Sequence, residues 1–101
     1  MQIQITNAGD NAVICLNGRF DFTTQRTFKM YYDPILQQEA IKKLEIDLAG
    51  VEYLDSSALG MLMLLRDRAQ AVGKAVVLSN PNQMVAQILD IANFKKLFTI
   101  V

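Results

Sequence analysis

The chain has 101 residues, 51% of them hydrophobic and 20% charged, which is enough to bury the core of one domain over residues 1–101. Its ten basic and ten acidic side chains cancel, which argues against a nucleic-acid-binding protein and against one that binds an anionic membrane surface. A net charge near zero also weakens repulsion between molecules, which favours a partner protein or a homodimer.

The residue types that are missing argue against catalysis and against a metal site. Histidine, the commonest general base, is absent, and the acidic residues are scattered rather than grouped as metal ligands or paired catalytic carboxylates. Cys15 is the only cysteine, so a disulfide within the chain is excluded. We therefore expect a protein that is not an enzyme and that needs no cofactor and no metal.

The usual signals of export and of membrane insertion are also missing. The first six residues alternate between polar and apolar types, unlike a signal peptide. The longest apolar run, residues 58–65, is far shorter than the ~20 residues that a membrane helix requires. We expect a cytoplasmic protein with no direct membrane insertion.

Two strands joined by a tight turn are predicted at the N-terminus. Residues 2–6 alternate, with Ile3 and Ile5 on one face, and residues 12–16 form a more continuously apolar strand. The Asn-Ala-Gly-Asp-Asn segment between them is rich in turn-forming residues, which predicts a hairpin. The second strand is expected to end at residues 18–21.

A helix that is interrupted by proline is predicted next. Thr23 or Thr24 can cap a helix that carries Phe28 on its apolar side. At Pro34 two structures are compatible with the sequence. Either a second helical segment begins there, capped by Asp33 and extending to about residue 40, or a single helix is kinked.

The central strand predicts a sheet with one covered face. Leu44-Glu45-Ile46-Asp47-Leu48 alternates strictly, whereas a parallel strand covered on both faces is normally apolar throughout. The two acidic side chains therefore face water or a partner while the aliphatic ones face the core. The N-terminal strand alternates in the same way, so the helices are expected mainly on one face.

The second half of the chain continues the alternation of strands and helices. A long helix over residues 57–71 is apolar in its first half, which we expect to be buried, and Gly73 ends it. A strand at residues 75–78, a helix at 83–92 and a strand at 98–101 follow. The prediction is an α/β fold with a mixed sheet, in the order β-β-α-β-α-β-α-β with right-handed crossovers.

The triplet Asp55-Ser56-Ser57, at the start of the long helix, is the leading candidate site. Aspartate and serine are preferred N-cap residues, so either Asp55 or Ser56 can bond to a backbone N–H of the first turn. The functional interpretation is that Ser56 is also accessible to a kinase. A phosphate there would be favoured by the helix dipole, so it would disturb a docked partner more than the domain itself.

Other interpretations of polar and apolar clusters are weaker. The triplet lacks the Gly-x-Ser-x-Gly arrangement of a hydrolase and the glycine-rich loop and lysine of a P-loop. Phe20 and Phe22 are either core residues or aromatics presented at the end of the second strand. Met61, Met63 and Met84 are expected to fill the core.

Three segments together resemble the STAS domain of bacterial anti-sigma factor antagonists. Asn17-Gly18-Arg19-Phe20-Asp21 is similar to the Gly-x-x-Asp that follows the second strand of that family. Tyr53-Leu54-Asp55-Ser56-Ser57-Ala58-Leu59-Gly60 resembles its Asp-Ser-Ser/Thr-Gly-Leu-Gly signature. Leu89-Asp90-Ile91-Ala92-Asn93-Phe94 resembles the end of its third helix, and the spacing of the three segments is also family-like.

The resemblance implies a role for each residue of the site. Ser56 corresponds to the serine that is phosphorylated, and Asp21, Asp55, Ser57 and Ala58 correspond to the partner-binding surroundings. A serine protein kinase, often itself an anti-sigma factor, would bind and modify the unphosphorylated domain. A PP2C-type phosphatase would restore that form.

The chain departs from the family at three points. Ala58 replaces a glycine, which stiffens the first helical turn, and Pro34 falls within the usual first helix. A fourth helix common in the family is not part of this sequence, so we expect a partner or a second copy at that end.

Two functional hypotheses follow from the resemblance. The first is a phosphorylation-switched binding protein in a partner-switching pathway. The alternative is an unswitched subunit that braces the ATPase of a membrane lipid transporter. The serine beside Asp55 favours the switch, because a bracing subunit needs only a helix cap there.

Overall fold

All 101 residues, Met1 to Val101, are described by the structure, which is a computed structural model. Five strands form one sheet in the order β1-β2-β3-β4-β5, and three helices connect the parallel strands. Two short 3-10 turns, Phe22–Thr24 and Phe94–Lys96, complete the chain. The strands and helices are, in chain order, β1 Gln2–Ala8, β2 Asn11–Phe20, α1 Gln25–Leu36, β3 Lys43–Leu54, α2 Ser56–Ala71, β4 Ala75–Ser79, α3 Gln83–Ile91 and β5 Thr99–Ile100.

The predicted element order and the mixed sheet are confirmed. β1 is antiparallel to β2, and the remaining neighbours are parallel. Since the strands occur in sequence order, right-handed crossovers bring all three helices to the same face. Leu44, Ile46 and Leu48 are fully buried beneath the helices, whereas Glu45 and Asp47 on the other face are only half-buried. The alternation in β3 therefore has the predicted cause.

The strands β2 and β3 are longer than predicted, and this extension builds the edge of the sheet that carries the site. β2 does not end at Gly18 but continues to Phe20, paired with β3 up to Leu54. Two register shifts interrupt the pairing, and Gly18 has a φ of 103°, which a residue with a side chain rarely adopts. The second strand was predicted over residues 12–16, with residues 18–21 ending it, but glycine at position 18 allows a bulge within a strand that continues to Phe20.

The helix α1 is a single helix that ends soon after Pro34. Pro34 lies in its last turn, and the predicted extension to residue 40 is wrong. Pro34 removes one N–H from this last turn, and the helix then closes with short-range bonds from Gln37 N to Pro34 O (3.2 Å) and from Gln38 N to Ile35 O (3.1 Å) before the chain enters β3. The buried Lys74 ammonium stabilises this turn by donating to the carbonyl oxygens of Gln38 (2.6 Å) and Ile41 (2.5 Å).

Aromatic packing anchors α1 to the sheet beside the site. Phe28 makes edge-to-face contacts with Phe20 and with Tyr32, each with a centroid separation of 5.1 Å. Phe20 is buried, but Phe22 is 67% exposed, so the two phenylalanines have different environments. Of the three methionines expected in the core, only Met61 is buried, because Met63 and Met84 lie on the outer sides of their helices.

Candidate functional site

Three polar residues cap the segments that leave the carboxyl ends of β2, β3 and β4. Asp21 accepts from Thr23 N, Asp55 from the first turn of α2, and Asn82 from the first turn of α3. Parallel strands place their carboxyl ends at one edge of the sheet, so the three caps share that edge. The candidate site is the middle one, between Asp21 and Asn82.

Asp55 alone performs the capping of α2. Its Oδ1 accepts the backbone N–H of Ala58 at 2.8 Å, and its extended backbone (φ −103°, ψ −179°) is typical of an N-cap. Its own N–H donates to the carbonyl oxygen of Phe20 at 3.3 Å, which joins the ends of β2 and β3. The alternative that Ser56 provides the cap is thereby excluded, since Ser56 is the first helical residue.

Ser56 and Ser57 are both exposed, and neither contributes to the cap. Both lie in the first turn, where N–H groups have no partner within the helix and the helix dipole favours negative charge. Ala58 is fully buried and therefore offers no side-chain surface to a partner. Of the residues implied by the resemblance, Ser56 and Ser57 are presented to solvent and Asp55 holds them in place.

Asp21 forms the neighbouring cap on the β2 side. Its Oδ1 accepts from the Thr23 hydroxyl at 2.5 Å and from the Thr23 N–H at 3.0 Å, and its Oδ2 lies 3.6 Å from Arg19 Nε. The hydrogen bond from the Thr23 hydroxyl is the main cause that lowers the pKa of Asp21, with the Thr23 N–H and Arg19 contributing. Asp21 is thus a fixed negative charge beside the site.

Arg19 and Tyr53 extend the site along the sheet edge; both belong to the motifs quoted above, but neither was among the predicted site residues. The two residues are paired in register across β2 and β3. The Arg19 guanidinium carbon lies 4.3 Å from the centroid of the Tyr53 ring, a cation–π contact. Arg19 therefore contacts both Asp21 and Tyr53, and its position depends on the continuation of β2 beyond Gly18.

The outer side of α2 carries an uncharged surface that begins at the serines. Met63 is 43% exposed and Leu64 is 40% exposed, and Gly60, one turn after Ser56, has open space around its Cα. The predicted burial of the first half of α2 is therefore wrong on this side. The surface formed by Ser56, Ser57, Gly60, Met63 and Leu64 is called the α2 surface below. It carries no charged residue before Asp67.

The site has the form of a surface and not of a cleft. None of the four shallow pockets of the molecule is lined by residues 55–58. Clusters of three or more histidine, cysteine or acidic residues that could hold a metal ion are absent. No helix is long and apolar enough to cross a membrane. The geometry suits recognition by a second macromolecule.

Known proteins with related sequences cover nearly the whole chain. The STAS domain family matches residues 2–101. A STAS-domain containing protein of Pseudomonas aeruginosa is 40% identical over 92 residues, which are 91% of this chain and 89% of the relative.

Solved structures show the same fold. The anti-sigma factor antagonist SpoIIAA in its unphosphorylated form has a TM-score of 0.82 at 18% identity, covering 99% of this chain and 88% of that one. The STAS domain of a SulP transporter from Vibrio cholerae has a TM-score of 0.74 at 28% identity, covering 94% and 75%. The family match over residues 2–101 and the shared fold agree with the motif at Asp55-Ser56-Ser57, and the chain belongs to the STAS domain family.

Proposed function

We propose that this protein is a regulatory binding protein whose partner binding is switched by phosphorylation of Ser56. The observation that carries the proposal is that Asp55, and not Ser56, caps the start of α2. Asp55 makes the capping bond to Ala58 at 2.8 Å, so the hydroxyl of Ser56 is exposed and free of a structural task. A kinase can therefore modify Ser56 without breaking the helix.

The electrostatics of the helix start favour a phosphate that leaves the domain folded. Phosphoserine adds about 1.5 to 2 negative charges. The N–H groups of the first turn and the helix dipole stabilise negative charge at Ser56. The carboxylates of Asp55 and Asp21 lie at the same sheet edge, so the modified edge becomes strongly negative. The added charge therefore affects a partner that docks at this edge more than it affects the fold.

The α2 surface supplies the apolar area that a partner would cover. Gly60, Met63 and Leu64 continue from Ser56 along the outer side of the helix without a charge. A partner that packs on this surface excludes water from the edge that carries Ser56. A phosphate would then lose its hydration without a compensating cation, which opposes binding.

The resemblance to anti-sigma factor antagonists implies the classes of partner. The unphosphorylated protein would bind a serine protein kinase that is also an anti-sigma factor, and phosphorylation would release it. A PP2C-type phosphatase would return the protein to the binding form. The protein itself would perform no chemistry and would need no cofactor.

Phosphate mapping tests the proposal directly. The protein is incubated with ATP and a candidate serine kinase from the same organism, and the modified residue is located by mass spectrometry. We expect phosphate on Ser56, its loss in Ser56→Ala, and its retention in Ser57→Ala, which is the matched control one residue away. Phosphate elsewhere, or none, would overturn the switch.

A second candidate function is an unswitched subunit of a transporter; the similarity to the STAS domain of a SulP transporter supports an association with a transporter but not the class of transporter. In this case the α2 surface would brace the ATPase of a membrane lipid transporter whatever the state of Ser56. Genes for regulators beside this gene favour the switch, and genes for transporter subunits favour the brace. Equal binding of the partner by Ser56→Ala and Ser56→Asp would also favour the brace.

A further inference from the structure

The two outermost strands of the sheet, β5 and β1, differ in how much backbone they leave free to pair with a further strand. β5 contributes a pairing of only two residues at one edge. β1 forms the other edge and pairs with β2 over seven consecutive residues without a register shift. Its second side has no neighbouring strand. A strand of this length with one open side offers a row of backbone N–H and C=O groups to a further strand.

β1 lacks the features that normally protect an edge strand. Exposed edges are usually protected by charged residues, proline, bulges or very short strands. Gln2–Ala8 contains no charged residue and no proline, and the first charged side chain in the sequence is that of Asp10. Charge repulsion therefore does not oppose the approach of a second β1.

The side chains of β1 alternate in a way that suits pairing with itself. Ile3 and Ile5 lie opposite Leu16 and Ile14 on the helix-covered face, yet Ile5 is still 38% exposed. Gln2, Gln4 and Thr6 occupy the other face and are exposed. An antiparallel copy centred on Gln4 preserves this alternation, because positions equally distant from the centre have the same character.

We propose that a second copy of this chain pairs with β1 in antiparallel orientation, about a two-fold axis through Gln4. Ile3 of each copy then lies opposite Ile5 of the other, and the two Gln4 residues face each other. Opposed aliphatic pairs stabilise such a ladder, and a two-fold contact is self-complementary. The product is a continuous sheet of two five-stranded halves.

The proposed dimer is independent of the switch at Ser56. β1 is separated from β3, which precedes Ser56, by β2. Pairing at β1 therefore leaves the α2 surface available to its partner. Edge-to-edge contact of two sheets is small, below about 1,200 Å², so we expect a weak dimer that depends on protein concentration.

Sedimentation equilibrium of the full chain tests the dimer. Measurements from about 1 to about 300 μM cover the range of weak self-association. We expect a monomer at the low end and a growing dimer fraction at the high end. A protein that is monomeric at all concentrations would overturn the proposal. The same result is expected if β1 pairs only with a strand of another protein.

Opposite charges at Gln4 test both the partner and the register. In Gln4→Lys or Gln4→Glu alone, like charges face each other, and we expect dimerisation to weaken at least about tenfold. An equimolar mixture of the two variants places opposite charges together and should restore it. Gln87→Lys, exposed on α3, is the matched control, and circular dichroism checks that each variant is folded. Failure of the mixture to recover, or undiminished dimerisation of either single variant, would contradict the axis through Gln4.

Discussion

The starts of α2 and α3 have the same geometry and different chemistry. Asp55 accepts from Ala58 N, and Asn82 accepts from Val85 N, both at 2.8 Å and both with extended backbones. The amide of Asn82 additionally donates to the carbonyl oxygen of Val51 at 2.9 Å, which ties α3 to β3. Asp55 has no amide to donate.

The difference between the two helix starts shows that an N-cap residue alone does not define a functional site. Asn82 uses both ends of its amide for structure and is followed by Gln83 and Met84, which have no hydroxyl. Asp55 uses one oxygen for the cap and is followed by two exposed serines. The candidate site is therefore the helix start that combines a carboxylate with free hydroxyl groups.

A negative charge at the first residue of each helix provides the strongest test. Ser56→Asp should weaken binding of the kinase about 100-fold, or about 3 kcal/mol, because the charge would be desolvated without a partner. Gln83→Asp at the same position of α3 should leave binding unchanged. Isothermal titration calorimetry measures both affinities. Equal losses in the two variants would show that the effect is not specific to the α2 surface.

Removal of the Asn82 cap should have the largest effect on stability. Asn82→Ala removes the cap and the bond to Val51 O, so we expect a loss of about 2 kcal/mol in the free energy of unfolding. Asn82→Asp retains a cap oxygen and loses only the donor, so about half of that loss is expected. Urea unfolding measures both. A fully stable Asn82→Ala would contradict the structural role assigned to Asn82.

Substitutions of Asp55 distinguish its role as the helix cap from the role of its negative charge. Asp55→Ala should reduce the free energy of unfolding by about 1 kcal/mol, whereas Asp55→Asn should preserve it, since asparagine caps as well as aspartate. Phosphorylation of Ser56 in Asp55→Asn should nevertheless slow, because the carboxylate beside the hydroxyl is lost. Urea unfolding and a phosphate incorporation assay give the two readouts. Unchanged kinetics in Asp55→Asn would limit Asp55 to a structural role.

The smallest expected effect is the pH dependence contributed by Asp21. Its pKa is lowered in the folded protein, mainly by the hydrogen bond from the Thr23 hydroxyl. As the pH falls, Asp21 therefore binds a proton in the unfolded chain before it does so in the folded protein. The stability that the Asp21 carboxylate contributes is complete above about pH 4 and is lost as the pH falls through its lower folded pKa.

The substitution Asp21→Asn tests the direction of this pH dependence. The control is Asp10→Asn, which removes an exposed carboxylate from the turn between β1 and β2. The stability difference between the wild type and Asp21→Asn should be larger at about pH 5 than at about pH 2.5. Urea midpoints at the two pH values measure it. A difference that grows on acidification would contradict the lowered pKa.

Much of the fold could be predicted because its signals are local. Strict alternation at Leu44-Glu45-Ile46-Asp47-Leu48 indicated a sheet with one covered face, and the motif at Asp55-Ser56-Ser57 located the helix start. Errors arose where a local signal competed with pairing between strands. The glycine at position 18 suggests a turn in isolation, but the neighbouring β3 extends the ladder past it to Phe20.

The sequence by itself determined the order of the elements and the position of the triplet, because periodicity and cap chemistry act over a few residues, and its motifs carried the resemblance to the family. Only the tertiary structure decided that Asp55 caps and Ser56 is free, that Met63 lies outside the core, and that β1 has an open edge. Exposure depends on which distant element packs over a residue, and local patterns do not carry that information.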